Sequence, residues 1–214
     1  MPMGIRLQKG SRERSRGYGM TRKGKRERET RETRISVELN LDGKGEFSVD
    51  TGVPFFDHML SLFAKHGLFD LVVEAKGDIE VDYHHLVEDT AIVLGGVVKK
   101  ALGNMEGIRR YGFSAVPMIE AYAEVSMDVS NRPHYVFRCP VKTEKVGLFD
   151  TELVEEFIRA FSQHSGICIH VNVPYGNNTH HTIEAVFKAL GRSLDQATMI
   201  DERVKGVPST KGLF

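Results

Sequence analysis

Two short stretches place a pair of adjacent imidazoles three and four residues ahead of a carboxylate. They are His84, His85 and Glu88 in "YHHLVED", and His180, His181 and Glu184 in "THHTIEA". On a helix, positions i and i+4 share a face and i+3 lies only slightly round it, so each glutamate can work beside either of its histidines. Neighbouring imidazoles project about 100° apart around the axis. One motif can therefore serve two different metal ions, which suits a pair of sites better than one closed tetrahedral site. A single His-His-x-x-Glu is more often a hydrogen-bonded surface cluster. Two copies at equivalent registers, each beside an apolar stripe, point to metal ligation instead.

The copies sit inside a longer repeat. "HHLVEDTAIVLG" lies over "HHTIEAVFKALG" at a separation of 96 residues (180 − 84). "DHMLSLFAKHG" lies over "EEFIRAFSQHS" at a separation of 98 (156 − 58), which sets His58 against Glu156 and His66 against His164. The first half alternates apolar and polar residues on both sides of Asp42-Gly43, a hairpin signal. It then changes to helical spacing in "VPFFDHMLSLFAKHG", with Pro54 suited to a first turn. A strand, "LFDLVVEAKG", and a helix with a Leu86, Ala91, Val93, Leu94, Val97, Val98 stripe follow.

The second half repeats the order: strand, turn at Ser130-Asn131, strand, a helix that Asp150 or Thr151 can cap, the strand "ICIHVNVPYG", and a final helix. The predicted fold is α+β, with two pseudo-symmetric ββαβα halves at about 30–105 and 115–200, each a small mixed sheet covered on one face by helices. Together they make a single catalytic domain from residue 20 to 214, ending in a loop at 207–212.

The repeat explains why "FFDHML" puts a histidine into an oily helix: His58 and Glu156 are both groups that can bind a cation, at equivalent positions. The predicted ligand set is His58, His84, His85, Glu88, Glu156, His180, His181 and Glu184, four for each of two ions if shared equally. Nitrogen and oxygen donors without thiolate suit Mn, Fe or Co. His66, His134, His164 and His170 are given no catalytic role. Arg109, Arg110, Arg132 and Lys188 are candidate anion contacts, and Ser209, Thr210 and Lys211 form a donor-rich turn between Pro208 and Gly212.

Composition narrows the class. Of 214 residues, 41% are hydrophobic, and 29 basic side chains balance 29 acidic ones, so overall charge gives no reason to expect nucleic acid or membrane as a partner. Residues 1–28 nevertheless hold ten Lys or Arg against Glu13 and Glu27, and 1–19 read as a basic disordered arm, with Met20 an alternative start. Cys139 and Cys168 lack C-x-x-C spacing and are expected reduced and buried. With no membrane-length apolar run and no signal-peptide pattern, the expected location is cytoplasmic.

"FFDHML", "DYHHLVED", "SNRP", "NNTHHTIEAVFKALGR" and "PSTKG" together resemble the imidazoleglycerol-phosphate dehydratase family, from about residue 20 to 214. The resemblance implies a lyase of histidine biosynthesis that dehydrates imidazole glycerol phosphate to imidazole acetol phosphate with two manganese ions, in a homo-oligomer of 24 subunits. It implies that Glu32 takes part in proton transfer, with Glu88 and Glu184 as further carboxylates of the reaction. It also implies that Arg110, Arg132, Lys188 and Lys211 contact substrate, with Ser209 and Thr210 beside its phosphate. Many members carry histidine where this chain has Glu156. The rival reading of the residues is a dinuclear metallohydrolase of a small phosphorylated substrate, which would release inorganic phosphate. A non-catalytic metal-binding assembly protein is more distant, and would not need Arg132 or Lys211.

Overall fold

The computed structural model describes residues 22–212; the basic arm at 1–19 lies outside them. The first half comprises β1 (Lys23–Glu29), β2 (Thr33–Asn40), β3 (Phe47–Asp50), α1 (Pro54–Gly67), β4 (Asp70–Gly77) and α2 (His84–Leu102). The second comprises β5 (Tyr111–Met118), β6 (Ala121–Val129), β7 (His134–Arg138), a short β8 (Lys145–Val146) and β9 (Phe149–Asp150) pair, α3 (Leu153–Ser165), β10 (Ile167–Tyr175) and α4 (Thr179–Thr198). The protein is α+β, with two four-stranded mixed sheets ordered β1-β2-β4-β3 and β5-β6-β10-β7. The two orders are the same once the strands are matched by position in their half.

Each four-stranded sheet therefore carries one strand more than the ββαβα pattern, and the second half adds the separate β8–β9 pair. In the first half that strand is β1, whose sequence "KGKRERE" has no apolar alternation and precedes the repeat expected to begin at about residue 30. Backbone pairing holds it to β2, from Lys23 opposite Asn40 to Glu29 opposite Arg34, and its charged side chains suit an exposed sheet edge.

The hairpin expected at Asp42-Gly43 does not form. Strand β4 lies between β2 and β3, antiparallel to one and parallel to the other. Asp70, at the start of β4, accepts a hydrogen bond from the Lys44 amide at 2.7 Å, so it holds the loop open around the inserted strand. The turn at Ser130-Asn131 likewise ends β6 without pairing it to β7, because β10 takes the place between them. Alternation fixes which face of a strand is buried and leaves its neighbour unspecified.

Helix ends follow local chemistry with one exception. Pro54 opens α1, and the Asp57 carboxylate accepts from the Thr51 amide and hydroxyl, closing the loop onto the first turn. Asn178 caps α4 by accepting from the His181 amide. Neither Asp150 nor Thr151 caps α3: Asp150 pairs with Lys145, and the Thr151 hydroxyl donates to the carbonyls of Thr143 and Glu144. Both cysteines are free and half-buried, and burial, with Glu155 nearby, pushes the Cys139 thiol up to about 12. Among the described residues no helix is long and apolar enough to cross a membrane.

The halves join through their helices. α1 packs on α4 and α2 on α3, while the sheets cover the outer sides of the helical layer. One continuous core contains Phe56, Phe63, Phe157, Phe161 and Phe187 from these helices. The backbones of the two halves approach closely at two glycines that the repeat superposes. A Cβ on Gly191 would lie 2.3 Å from the Phe63 carbonyl oxygen, and one on Gly95 would lie 2.9 Å from that of Phe161. Gly95 and Gly191 are 96 residues apart, and Phe63 and Phe161 are 98 apart, the two separations of the repeat.

Gly191→Ala is expected to force α1 and α4 apart and destabilise the fold by about 1–3 kcal/mol, as overpacking does. Gly95→Ala, with the looser contact, should cost less. Urea unfolding of the two variants measures the order; equal stability of Gly191→Ala and wild type would contradict this packing.

Candidate metal centre

The helical layer brings six of the eight predicted ligands into two clusters. His58, His180 and Glu184 form one, and His84, Glu88 and Glu156 the other; in each, one donor atom per residue lies within 4.8 Å of the others. Both clusters cross the repeat. The first takes its residues from α1 of one half and α4 of the other; the second takes them from α2 and α3. Neither half holds a cluster alone.

In the first cluster, Nε2 of His58 and Nε2 of His180 both stand 3.0 Å from Oε1 of Glu184. The second oxygen, Oε2, accepts from Lys188 at 2.6 Å. Burial raises the Glu184 carboxyl, but the bonds to Lys188, His58 and His180 outweigh it and hold the group at about 2. Glu184 is thus an anion at neutral pH although only 7% exposed.

The second cluster is built on the same division of a carboxylate. Oε2 of Glu88 faces Nε2 of His84 at 3.9 Å, while its Oε1 accepts from Arg159 at 2.8 Å. Arg159 also grips Glu156 with both Nε and Nη2. This hydrogen bonding, stronger than the opposing effect of burial, keeps Glu156 below the usual carboxylate range.

His85 and His181 stand beside the clusters. The His84 and His85 rings lie 6.2 Å apart and cross at 89°; those of His180 and His181 lie 6.1 Å apart and cross at 81°. Nδ1 of His85 is 3.0 Å from Asp78, and Nδ1 of His181 is 3.0 Å from Glu120. A carboxylate on Nδ1 fixes the ring and leaves Nε2 as the outward donor, the usual way a ligating imidazole is oriented. The Asp78 bond raises the pKa of His85.

Asp78, Glu120 and Arg159 are absent from the sequence-based set. Asp78 lies seven residues before His85, within reach of a search of the preceding loop, whereas Glu120 is 61 residues from His181 and carries no local signal. Glu32 sits in the β1–β2 turn, where its carboxylate is 4.0 Å from Nδ1 of His85. That turn is anchored to α2 by buried Asp89, which pairs with Arg28 and Thr33.

The anion candidates divide. Arg110 makes a fork on Asp128, with contacts of 2.7 and 3.1 Å, and donates to the Pro208 carbonyl at 2.8 Å. Arg132 reaches the same aspartate at 3.4 Å, and Ser130 donates to it. The Ser209 hydroxyl accepts from the Lys211 amide, with Thr210 and Lys211 exposed on that turn. Arg110, Arg132 and the 207–212 loop are therefore linked around Asp128, another residue that spacing does not reveal. Lys188 is elsewhere in the chain. It touches Met118, and Arg110 precedes the opposite end of β5, about 25 Å away at ordinary strand rise.

Burial raises the Asp128 carboxyl, but hydrogen bonds from Arg110 and Ser130 outweigh it, and the folded pKa falls below 3.8. This contribution to stability is present above that pH and is lost as the pH falls through the folded value. Asp128→Asn should therefore cost most stability near neutrality, and its deficit should shrink as the pH falls below about 3.8. Urea unfolding of both proteins at several pH values measures this; a deficit that does not vary with pH would contradict it.

The family model for imidazoleglycerol-phosphate dehydratase matches residues 51–194, which span α1 to most of α4 and contain both clusters. The chain is 59% identical to the imidazoleglycerol-phosphate dehydratase of Syntrophobacter fumaroxidans over 191 residues, covering 89% of this chain and 97% of the relative. It is 57% identical to that of Geobacillus kaustophilus over 195 residues, covering 91% and 100%.

Two crystal structures are similar in fold. The Staphylococcus aureus imidazoleglycerol-phosphate dehydratase has a TM-score of 0.76 and 37% identity, over 84% of this chain and 99% of that one. The Pyrococcus furiosus enzyme has a TM-score of 0.76 and 34% identity, over 88% and 100%. With the doubled histidine motif inside the matched region and relatives covered almost end to end, the chain belongs to the imidazoleglycerol-phosphate dehydratase family.

Proposed function

We propose that this chain removes water from imidazole glycerol phosphate at a centre holding two divalent metal ions, with manganese the cation best suited to the donors. The observation that carries the reading is the pair of cross-half clusters, each with imidazole nitrogen and an ionised carboxylate and neither with thiolate. The residues fit such ions. Glu184 and Glu88 each turn one oxygen to imidazole and give the other to a cationic side chain, so the ligand oxygen is aimed before any ion arrives. The ions would supply Lewis acidity to the nitrogens of the substrate's imidazole ring.

The chain's own groups have separate tasks. The reaction breaks a C–O bond at the carbon attached to the ring and a C–H bond at the next carbon, giving water and an enol that becomes the ketone. Glu32, on an anchored turn beside His85, is the group we assign to moving the carbon-bound proton. Asp78 and Glu120 hold Nδ1 of His85 and His181, which leaves Nε2 of each ring as its ligand atom, and neither histidine belongs to a cluster of its own chain.

Those nitrogens are available to complete a site with a neighbouring subunit, in keeping with the 24-subunit assembly that the family resemblance implies. In such an assembly Lys188 of one chain and the Arg110, Arg132, Ser209, Thr210 and Lys211 group of another can meet one phosphorylated substrate. The phosphate contacts would position the substrate without entering the bond changes. A cytoplasmic location and a place in histidine biosynthesis belong to the same reading.

His85→Ala and His181→Ala should each lower turnover by about 100-fold or more and reduce bound manganese, since removing a ligand costs at least as much as removing its orienting partner. The measurement is metal analysis paired with detection of ketone and inorganic phosphate from imidazole glycerol phosphate. Ketone with phosphate still attached supports dehydration. Release of inorganic phosphate, or full activity with unchanged metal in either variant, would overturn it.

A further inference from the structure

We propose that Arg159 is a positioning residue, the counter-ion that allows Glu156 to stand where the other half of the repeat has the imidazole of His58. The inference rests on the metal reading and adds to it an account of how two unlike clusters can do the same task.

The difference between the clusters is one of charge. The His58, His180, Glu184 cluster has one carboxylate, and the His84, Glu88, Glu156 cluster has two. Two carboxylates drawn together to share an ion repel one another until that ion binds. Arg159 stands against both. Its Nη2 donates to Oε1 of Glu88 at 2.8 Å, and its Nε donates to Oε2 of Glu156 at 3.0 Å, with Nη2 also on Oε1 of Glu156. The planar guanidinium is suited to this two-sided grip, and the oxygen of Glu88 nearest His84 remains free of it.

The repeat shows what Arg159 replaces. Its counterpart 98 residues earlier is Ser61, whose hydroxyl donates at 2.7 Å to the Asp57 carbonyl of its own helix and leaves His58 alone. Where the candidate ligand is imidazole, the residue three positions on is small; where it is a carboxylate, the residue three positions on is arginine. A second correspondence agrees. Lys188 holds the outer oxygen of Glu184 from the next turn of α4, but its counterpart on α2, 96 residues earlier, is apolar Ile92. Arg159 reaches across from α3 to supply Glu88 with the contact that α2 lacks.

Arg159 is 37% exposed at its side chain, a degree of exposure at which ion pairs add little to overall stability. Its removal should disturb the cluster more than the fold.

The test is titration of the chelator-stripped full-length protein with Mn2+ alone, counting free ion by its paramagnetic resonance signal, with circular dichroism to check folding. Wild type should bind two ions per chain. Arg159→Leu should weaken one of them by about 10–100-fold and leave the other unchanged. The double variant Glu156→His, Arg159→Ser, which copies His58 and Ser61, should restore that ion to within a few-fold of wild type.

Arg159→Lys keeps the charge without the fork and should fall between wild type and Arg159→Leu, so it serves if the leucine variant does not fold. Wild-type affinity for both ions in Arg159→Leu or in the lysine variant, or no restoration in the double variant, would overturn this inference alone. Wild type that takes up no Mn2+ would overturn the metal reading along with it.

Discussion

The absence of side chains at Gly95 and Gly191 sets how closely the two halves can approach, and the candidate sites depend on that approach. Each glycine receives a phenylalanine carbonyl of the opposite half, Phe161 for Gly95 and Phe63 for Gly191. Gly191 follows Glu184 by seven residues, about 10 Å along the helix, and Phe63 follows His58 by five. The crossing therefore fixes the distance at which the α1 and α4 side chains meet, one or two turns away. The same relation holds for α2 and α3. Because each cluster draws on both halves, a shift at the glycines is a shift of ligand against ligand.

A shared electrostatic plan follows from this frame. The glutamate of each His-His-x-x-Glu motif has one oxygen toward imidazole and one toward a cation, Lys188 in one case and Arg159 in the other. A carboxylate held in this way cannot rotate freely, so an arriving cation meets an oriented donor. The second histidine of each motif is held separately, by Asp78 or Glu120, with its ring plane nearly perpendicular to that of the first. What the helix supplies is divergence: successive side chains leave it about 100° apart, so a two-residue motif can offer its imidazoles in two directions.

Much of this was legible in the sequence because it is local or repeated. His84, His85 and Glu88 lie within about one helical turn, and their duplication at 180, 181 and 184 both marks the candidate ligands and aligns the halves. The alignment also singles out His58 and Glu156, which spacing alone would leave among core residues. The order of strands was not legible. The pattern of β2 and β3 matches a hairpin, and nothing local in it foretells that β4 pairs with both strands and separates them. Nor were the partners of the ligands: Arg159 meets Glu88 across 71 residues, and Asp128 gathers Arg110 and Arg132 through contacts that depend on β5 and β6 being paired. β1 was missed for a different reason, since an edge strand held by backbone pairing needs no apolar face.

The central claim is that two cross-half clusters each receive a divalent cation. Anomalous diffraction at the manganese absorption edge, from crystals of the full-length protein grown with Mn2+, tests it most directly. The account expects two peaks per chain, one in ligand contact with His58, His180 and Glu184 and the other with His84, Glu88 and Glu156. A single peak, or peaks bound by other residues with these side chains left apart, would contradict it.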